Sequence, residues 1–310
     1  MNKITVGIPV YNSENSIRQC INSVLNQTFS EYEIIISDNA STDKTETICK
    51  DFAKQNPKIK YIKQPQNLGY IENFRFILNS CNSKYFVWIS ADDLWEPSFL
   101  EKNLSILEKN PNIIGSVGKI GILGHDYHRF DLKSSDNFLM KSYKQLRLHF
   151  LSFDYVGTDN SNYQKRIKKC LKSRRYGLLI FSLFRTETLK KVIDTKIIPW
   201  DWGLILLILK YGNIHVMDEI LQRRNFGGIS NTNSISLYNQ KYLDLRDLFF
   251  PKLPFTIWCY KNLGKKIFLE NFLFFIKLNI SGILIIFYDS IKYFKNNKKI
   301  YYFEKDLLPK

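Results

Sequence analysis

The sequence predicts an α/β fold in which a mostly parallel sheet is flanked by helices, with a helical extension at the C-terminus. Over residues 1–110, short apolar strands alternate with helical segments, which is typical of successive βαβ units. Polar residues follow the strands, and after residue 235 the sequence becomes basic and rich in aromatic residues. We therefore predict one α/β domain over residues 1–235, with halves at 1–110 and 111–235, and an extension over residues 236–310.

Composition is typical of a globular protein in a reducing compartment. With 310 residues, 45% of them hydrophobic, the chain can bury a core of ordinary size. The five cysteines are scattered, which argues against a disulfide framework and against a thiolate metal site. A strand-like run begins at Lys3 without a secretory signal pattern, so we expect a cytoplasmic protein.

The formal net charge of +16 calls for an anionic partner. Nucleic acid, an anionic membrane face and a phosphorylated substrate are the candidates. The sequence contains no recognisable nucleic-acid-reading module and no basic stripe interleaved with stacking aromatic residues. We therefore expect no nucleic-acid partner, and the membrane and the phosphorylated substrate remain.

Four strands and their intervening helices are predicted in the first half. The strands are Ile4–Val10, Glu33–Ser37, Ile59–Ile62 and Tyr85–Ile89. The helices run over Ser16–Leu25, through Ile48, Cys49 and Phe52, and through Phe74, Ile77 and Leu78. Ser41 or Thr42 is expected to cap the second of these helices, and Pro97 to lie in the first turn of a fourth.

Polar clusters follow all four strands. They are Tyr11–Asn12, Asp38–Asn39, Asn67–Gly69 and Asp92–Asp93. Carboxyl ends of parallel strands meet at one edge of the sheet, where open α/β sheets bind ligands. Paired carboxylates there suit Mg²⁺ or Mn²⁺ carrying substrate phosphates; the alternative is a turn in which one of the two acids caps a helix.

Two common nucleotide-binding motifs are absent from the sequence. No Gly-x-Gly-x-x-Gly follows the first strand, which argues against a dinucleotide site, and no Gly-Lys-Ser/Thr loop is present, which argues against a P-loop NTPase. The pattern favours a nucleotide held by acids and a metal ion.

Three motifs carry a family resemblance. They are Ile8–Asn12, Asp38–Asp43 and the DXD-type motif Ser90–Asp93. With these, the chain resembles the family 2 glycosyltransferases, which have a Rossmann-like sheet of the GT-A type, over roughly residues 3–100 and more weakly over Gly177–Ser230. The resemblance implies an inverting transfer of a sugar from a nucleotide diphosphosugar to an acceptor hydroxyl.

The resemblance also implies roles for particular residues. Asp93 is expected to bind a divalent cation, Mg²⁺ or Mn²⁺, with Asp92 on the ribose or assisting the metal. The remaining expected nucleotide-sugar contacts are Pro9, Tyr11, Asn12, Asp38, Asn67, Arg223 and Arg224. The chain departs from the family where Asn39 and Ala40 follow Asp38 in place of Asp-Gly, and where Asn225 stands near a common histidine position.

Asp201 is the candidate general base, since the family carries an acid at the corresponding place. It precedes an apolar helical segment, so the alternative is a helix N-cap. Trp200 and Trp202 are expected to form part of an acceptor platform. Earlier in this half we predict a strand at Ile113–Ile120 and a strand or buried segment at Tyr176–Phe184.

The extension contains the apolar segment Ile267–Tyr288, interrupted by polar residues such as Glu270 and Lys277. It does not form a clean membrane span, and we predict one or two amphipathic helices. Apolar faces flanked by lysines suit an anionic membrane surface, which would make the protein peripheral on the inner face of the membrane. The alternative is a helical cap packed on the first domain.

The family context favours a UDP-sugar donor and a glycan or lipid-linked acceptor, as in cell-surface polysaccharide synthesis. A metal-dependent nucleotidyltransferase is an alternative, although the Gly-rich basic loop expected after its first strand is absent. A non-enzymatic basic protein that binds membrane or nucleic acid would explain the charge but not the acids at the strand ends.

Overall fold

The computed structural model describes residues 2–123, 138, 141, 157–173, 176–197, 199–225 and 250–295. The described strands are β1 (Ile4–Val10), β2 (Tyr32–Asp38), β3 (Ile59–Lys63), β4 (Tyr85–Trp88), β5 (Leu94–Trp95), β6 (Ile113–Leu123), β7 (Leu183–Arg185) and β8 (Asn213–Asn225). The predicted boundary at residue 235 lies outside the described residues.

Helices follow most of the strands. They are α1 (Ile17–Leu25), α2 (Thr45–Gln55), α3 (Tyr70–Asn79), α4 (Phe99–Lys109), α5 (Tyr163–Lys172), α6 (Thr186–Lys190), α7 (Trp200–Ile208), α8 (Leu253–Leu263), α9 (Lys265–Glu270) and α10 (Phe272–Lys295). A 3₁₀ helix covers Tyr176–Phe181.

The described strands form one mostly parallel sheet in the order β3-β2-β1-β4-β7-β6-β8-β5. Strands β3, β2, β1 and β4 run parallel, as do β6 and β8, while β7 is antiparallel to both of its neighbours and β5 to β8. The predicted α/β class and the first four strands are thereby confirmed, with each strand shifted by at most one residue at either end.

The first strands are buried on both faces, which explains their continuous apolar sequences. All of β4 is buried, and β1 is buried except at Pro9. Helix α3 packs against β1 so closely that a Cβ added at Gly7 would lie 2.7 Å from Cγ2 of Ile77. The core thus holds the carboxyl ends of β1, β2 and β4 at a common edge.

Two local predictions differ from the structure, and a third is confirmed. Helix α2 begins at Thr45, whose backbone N–H donates to Asp43 Oδ1 at 2.9 Å, so neither Ser41 nor Thr42 caps it. Pro97 precedes α4, which begins at Phe99. The segment Tyr176–Phe184 contains a 3₁₀ helix and then enters the short strand β7; all of it is buried except Leu178, which is partly buried, so the predicted strand or buried segment is confirmed.

The extension packs on the first domain through one side of its helices. Phe255 and Cys259 of α8 and Phe275 of α10 are buried, and the Phe255 ring meets Trp202 of α7 edge-on at 5.4 Å. Helices α9 and α10 cover the segment Ile267–Tyr288 apart from Asn271, where one or two amphipathic helices are predicted. Within the described part of the chain, no helix has the length and apolar character needed to cross a membrane.

Candidate functional site

The loops after β1 and β2 are joined by backbone hydrogen bonds to polar side chains. The N–H of Asn12 donates to Ser41 Oγ at 2.9 Å, and the N–H of Thr42 donates to Asn12 Oδ1 at 2.8 Å. Asn12 and Ala40 have φ values of 45° and 62°. Such left-handed conformations cost an L-residue energy and are retained where the surrounding structure fixes them. The two loops therefore form one rigid rim at the sheet edge.

Asp38 lies beneath this rim with both carboxylate oxygens engaged. Oδ1 accepts from the backbone N–H of Ser41 at 2.8 Å, and Oδ2 accepts from the Tyr61 hydroxyl at 2.7 Å. Asp38 is fully buried, and burial together with this bond raises the pKa of Tyr61. Tyr61 of β3 was not singled out from the sequence, because nothing in a strand pattern marks one tyrosine as the partner of a distant acid.

An amide pair ties the end of β2 to the loop before α3. The Nδ2 group of Asn39 donates to Asn67 Oδ1 at 2.7 Å, and the N–H of Leu68 donates to Asn39 Oδ1 at 2.8 Å. Gly69 has a φ of 82° and also donates its N–H to Asn67 Oδ1. Asn39, noted in the sequence as a departure from the family pattern, thus holds Asn67 at the sheet edge.

The paired acids after β4 differ sharply in exposure. Asp93 is fully buried, and its Oδ2 accepts from Gln222 Nε2 at 2.8 Å and lies 3.4 Å from Arg224 Nε. Its Oδ1 is buried and has no hydrogen-bond partner in the described part of the chain. Asp92 is only partly buried. Gln222, which sequence reasoning missed, comes from β8 and could be found only through the pairing of β5 with that strand.

Burial and Arg224 act in opposite directions on these acids. Burial raises the pKa of Asp93 to about 7, and the charge of Arg224 lowers it. Burial likewise raises the pKa of Asp92, again opposed by Arg224. Because desolvation disfavours a charged carboxylate, a cation that binds here relieves an existing cost.

The two arginines of β8 have different partners. Arg224 faces the acids and lies 5.1 Å from the centre of the Phe181 ring. Arg223 Nε pairs with Glu96 Oε1 at 2.7 Å. Successive side chains of a strand point to opposite faces. The structure therefore brings Arg224 to the site but leaves the other predicted phosphate contact, Arg223, on the opposite side of β8.

Asp201 lies in the first turn of α7. The N-cap position is Pro199, so the predicted alternative in which Asp201 caps the helix is wrong. Its carboxylate lies against Gly177, where an added Cβ would come within 2.3 Å of Oδ2. Burial raises the pKa of Asp201, while backbone hydrogen bonds and the charges of Lys252 and Arg224 lower it.

The two tryptophans beside Asp201 have separate environments. Trp200 is buried in the core, with its ring 6.1 Å from Trp88. It cannot form part of an acceptor platform as predicted, because the helix turns it toward the sheet. Trp202 is partly buried, with the Tyr176 ring 5.1 Å away and the Lys252 ammonium 5.3 Å from its own ring centre.

A divalent cation fits this edge only with ligands from a substrate. Among the described residues, no cluster of three or more His, Cys, Asp or Glu side chains could hold a metal ion. Mg²⁺ commonly uses one or two carboxylates together with substrate phosphates. The partly exposed Asp92 and the unpaired Oδ1 of Asp93 match that donor set.

Comparison with known proteins decides the family. A model of the family described as Glycosyl transferase family 2 matches residues 5–172, more than half of the chain. The chain belongs to glycosyltransferase family 2. An uncharacterised glycosyltransferase of Haemophilus influenzae is 36% identical over 137 residues, which cover 42% of each chain. One from Rickettsia prowazekii is 27% identical over 255 residues, covering 81% of this chain and 72% of the relative.

This glycosyltransferase spans only part of several relatives, since matches cover 42%, 14% and 40% of three of them. Solved structures show the GT-A fold. The mannosyltransferase PcManGT from Pyrobaculum calidifontis, in complex with GDP-Man and Mn²⁺, has a TM-score of 0.53 at 13% identity, covering 94% of this chain and 75% of that one. Residues 1–349 of S. aureus TarS, in complex with UDP-GlcNAc, give 0.51 at 18% identity, covering 74% and 61%.

Proposed function

We propose that this glycosyltransferase moves a sugar from a nucleotide diphosphosugar to an acceptor hydroxyl, with inversion at the anomeric carbon. The observation that carries the proposal is the position of Arg224. Arg224 Nε lies 3.4 Å from Asp93 Oδ2, and the charge of Arg224 lowers the pKa of Asp92, of Asp93 and of Asp201. Sugar transfer needs a positive charge that stabilises the leaving diphosphate and a base that takes the proton of the attacking hydroxyl, both within one site.

In this proposal the donor lies along the rim formed by the loops after β1 and β2. It also contacts the loop after β3, which the Asn39–Asn67 hydrogen bond joins to β2. The proposed base and ribose contacts are Pro9, Tyr11, Asn12 and Asn67, with Asp38 beneath them. Because both oxygens of Asp38 are engaged, Asp38 acts by fixing the loop at Ser41 and by orienting Tyr61. Arg224 is proposed to bind the diphosphate, since a guanidinium matches phosphate oxygens well. We propose a UDP-sugar, and the two structural neighbours bind a UDP-sugar and a GDP-sugar.

We propose that Mg²⁺ or Mn²⁺ accompanies the donor. In this proposal Asp92 is the more accessible ligand and the fully buried Asp93 is the second, whereas the sequence prediction made Asp93 the metal ligand with Asp92 on the ribose or assisting the metal. The reason is that Gln222 and Arg224 already contact Asp93. When bound, the ion would act as a Lewis acid and stabilise the negative charge that develops on the leaving diphosphate.

The acceptor reacts on the Asp201 side of the site. In this proposal Asp201 takes the proton of the acceptor hydroxyl as the new bond forms, which is general base catalysis typically worth ~10²–10⁴-fold. Trp202 offers an aromatic surface next to the carboxylate. Direct displacement needs no covalent intermediate, so no nucleophilic Ser, Cys or His is required.

We also propose that the extension binds the inner face of an anionic membrane. Its exposed apolar side chains recur every three or four residues along α10, at Leu273, Ile276, Ile280, Leu284 and Phe287. Exposed lysines are present in α10, at Lys277, and in the preceding helix α9, at Lys265 and Lys266. An apolar helical face bordered by lysines has the chemistry of an interfacial anchor. A lipid-linked or surface-glycan acceptor would be reached from this position.

The deciding experiment offers the purified protein UDP-, GDP- and TDP-sugars with Mg²⁺ or Mn²⁺ and follows release of the nucleoside diphosphate. Release that depends on the cation and stops with EDTA supports the proposal. A nucleotidyltransferase would instead consume a nucleoside triphosphate and release pyrophosphate, so that assay runs in parallel. Release of pyrophosphate, with no release from any sugar donor, would overturn the proposal.

A further inference from the structure

Lys252, the residue before helix α8, places its ammonium 5.3 Å from the centre of the Trp202 ring. The Asp201 carboxylate lies close to the same ring, since a Cβ added at Gly177 would come within 2.3 Å of Asp201 Oδ2 and 2.9 Å of Trp202 Nε1. At this separation the two charges interact electrostatically. Lys252 belongs to the extension, far from Asp201 in sequence, and the basic composition of the extension gives no reason to select it from the other lysines. The arrangement is therefore visible only in the folded protein.

Packing on two sides holds Lys252 in this position. On one side, the Phe255 ring of α8 is buried and meets Trp202 at 5.4 Å. On the other side, an added Cβ at Gly282 of α10 would come within 2.9 Å of Lys252 Cγ and 3.0 Å of Pro251 Cγ. The stem of Lys252 thus lies against the backbone of α10. A freely moving surface lysine would have neither constraint.

Three elements bring charged or titratable groups to Asp201. Strand β8 brings Arg224, the 3₁₀ helix brings Tyr176, and the extension brings Lys252. Burial, and to a smaller extent Asp201, raises the pKa of Tyr176, which keeps that hydroxyl neutral. The positive charge of Arg224 acts on Asp92 and Asp93 as well as on Asp201. The carboxylate with which Lys252 interacts is that of Asp201.

We propose that Lys252 is a positioning residue that keeps the Asp201 carboxylate ionised and oriented, so that the extension completes the acceptor side of the active site. The proposal rests on the proposed function, in which Asp201 accepts a proton. A base must be ionised to do so, and burial opposes ionisation. A fixed positive charge beside the carboxylate offsets part of that cost.

The test compares three variants of the full chain, namely Lys252→Met, Lys252→Arg and the control Lys261→Met, which removes an exposed lysine from helix α8. The kcat for sugar transfer is measured across the pH range in which each protein stays folded. Without the positive charge, Asp201 holds its proton to higher pH. The acidic limb of the Lys252→Met profile is therefore expected to move to higher pH, while the other two variants keep the wild-type limb.

An unchanged acidic limb in Lys252→Met, with turnover lowered equally at every pH, would show a structural role only and overturn the proposal. A second readout does not need activity. The titration of the Asp201 carboxyl, followed by carbon-13 NMR, is expected to move to higher pH in Lys252→Met, and an unmoved titration also overturns the proposal. If the titration moves but the wild type transfers no sugar, the proposed function fails and the electrostatic effect of Lys252 on Asp201 stands.

Discussion

At the scale of single residues, burial separates acids that look alike in sequence. Asp92 and Asp93 are neighbours, yet one is partly exposed and the other is enclosed by Gln222 and Arg224. Asp201 is in the first turn of a helix, but it accepts backbone hydrogen bonds without being the cap. The chemistry that each carboxylate can perform follows from this environment.

The first prediction concerns Asp201→Asn. Asparagine keeps the shape and can still accept the N–H of Trp202, but it cannot take a proton. We expect kcat to fall by roughly two orders of magnitude or more, with donor affinity and melting temperature close to wild type. Steady-state kinetics, nucleotide titration and thermal unfolding measure these quantities. Near-normal turnover in this variant would exclude Asp201 as the base.

The second prediction concerns pH and Asp93. Since burial raises its pKa to about 7 from 3.8, the folded protein keeps a proton that the unfolded chain releases. This group therefore makes the free energy of unfolding fall as pH rises from about 4 to about 7. Asp93→Asn removes that dependence, because an amide carries no charge and its oxygen can still accept from Gln222.

Urea unfolding of the metal-free protein at about pH 5 and about pH 8 tests this dependence. We expect the wild type to lose more stability than Asp93→Asn between the two conditions. The control is Glu46→Gln, since Glu46 pairs with Lys50 and Lys63 rather than with Asp93 or its partners. An equal loss in wild type and Asp93→Asn would show that Asp93 is ionised throughout the range.

At the scale of elements, the alternation of side chains along β8 sorts its residues between two faces. Gln222 and Arg224 reach the acids after β4, and Arg223 reaches Glu96. Both neighbours of β8 hold this register, since β5 pairs Leu94 with Arg223 and β6 pairs Gly121 with the same residue. A shift of β8 by one residue would exchange the side chains on its two faces and remove the Arg224 guanidinium from the site.

The third prediction uses these arginines as a matched pair. Arg224→Met removes a charged partner of the diphosphate and of Asp93, so we expect kcat/KM for the donor to fall by about 10- to 100-fold, as for loss of a charge-assisted hydrogen bond. Arg223→Met removes only an exposed ion pair and should change stability by less than ~1 kcal/mol, with normal kinetics. Equal kinetic effects in the two variants would argue against this orientation of β8.

At the scale of the whole molecule, the extension has two faces with different environments. One packs on α7 and brings Lys252 to the acceptor side, and the other leaves apolar side chains exposed, with Leu273 71% and Phe287 64% accessible. The net charge of +16 gives the protein an attraction to anionic surfaces. Together, the exposed apolar face and the positive charge have the chemistry that the proposed membrane surface requires.

The fourth prediction is that the exposed face of α10 governs membrane binding. In the variant Leu273→Ser with Ile280→Ser, we expect the affinity for phosphatidylglycerol vesicles to fall by about tenfold or more, because buried leucine and isoleucine side chains each contribute roughly 1.5–3 kcal/mol. Added salt should weaken wild-type binding as well. Cosedimentation measures both effects, and Tyr211→Ser is the control, since it removes an exposed aromatic residue outside the extension.

Unchanged vesicle binding in the double variant would contradict the membrane role of this face. If the wild type instead self-associates in sedimentation velocity and the same variant abolishes that association, the face joins two copies of the chain. The variant should fold normally, because both substituted side chains are more than half exposed, at 71% and 54%.

The sequence by itself determined the α/β class, the first four strands and the polar clusters at their ends. These features are local: apolar strand patterns, helical periodicity and the residue types that follow each strand are all read within a few residues. The same local patterns carried the resemblance to family 2, which the match over residues 5–172 confirmed.

Only the tertiary structure decided which members of these clusters face one another. Gln222 and Arg224 meet Asp93, Tyr61 meets Asp38, and Lys252 lies near Asp201, and each pair is separated by more than twenty residues. The burial of Trp200 and the enclosure of Asp93 likewise depend on strand register and helix packing. Desolvation and charge pairing depend on which groups are close in space. They therefore cannot be predicted from the order of residues along the chain.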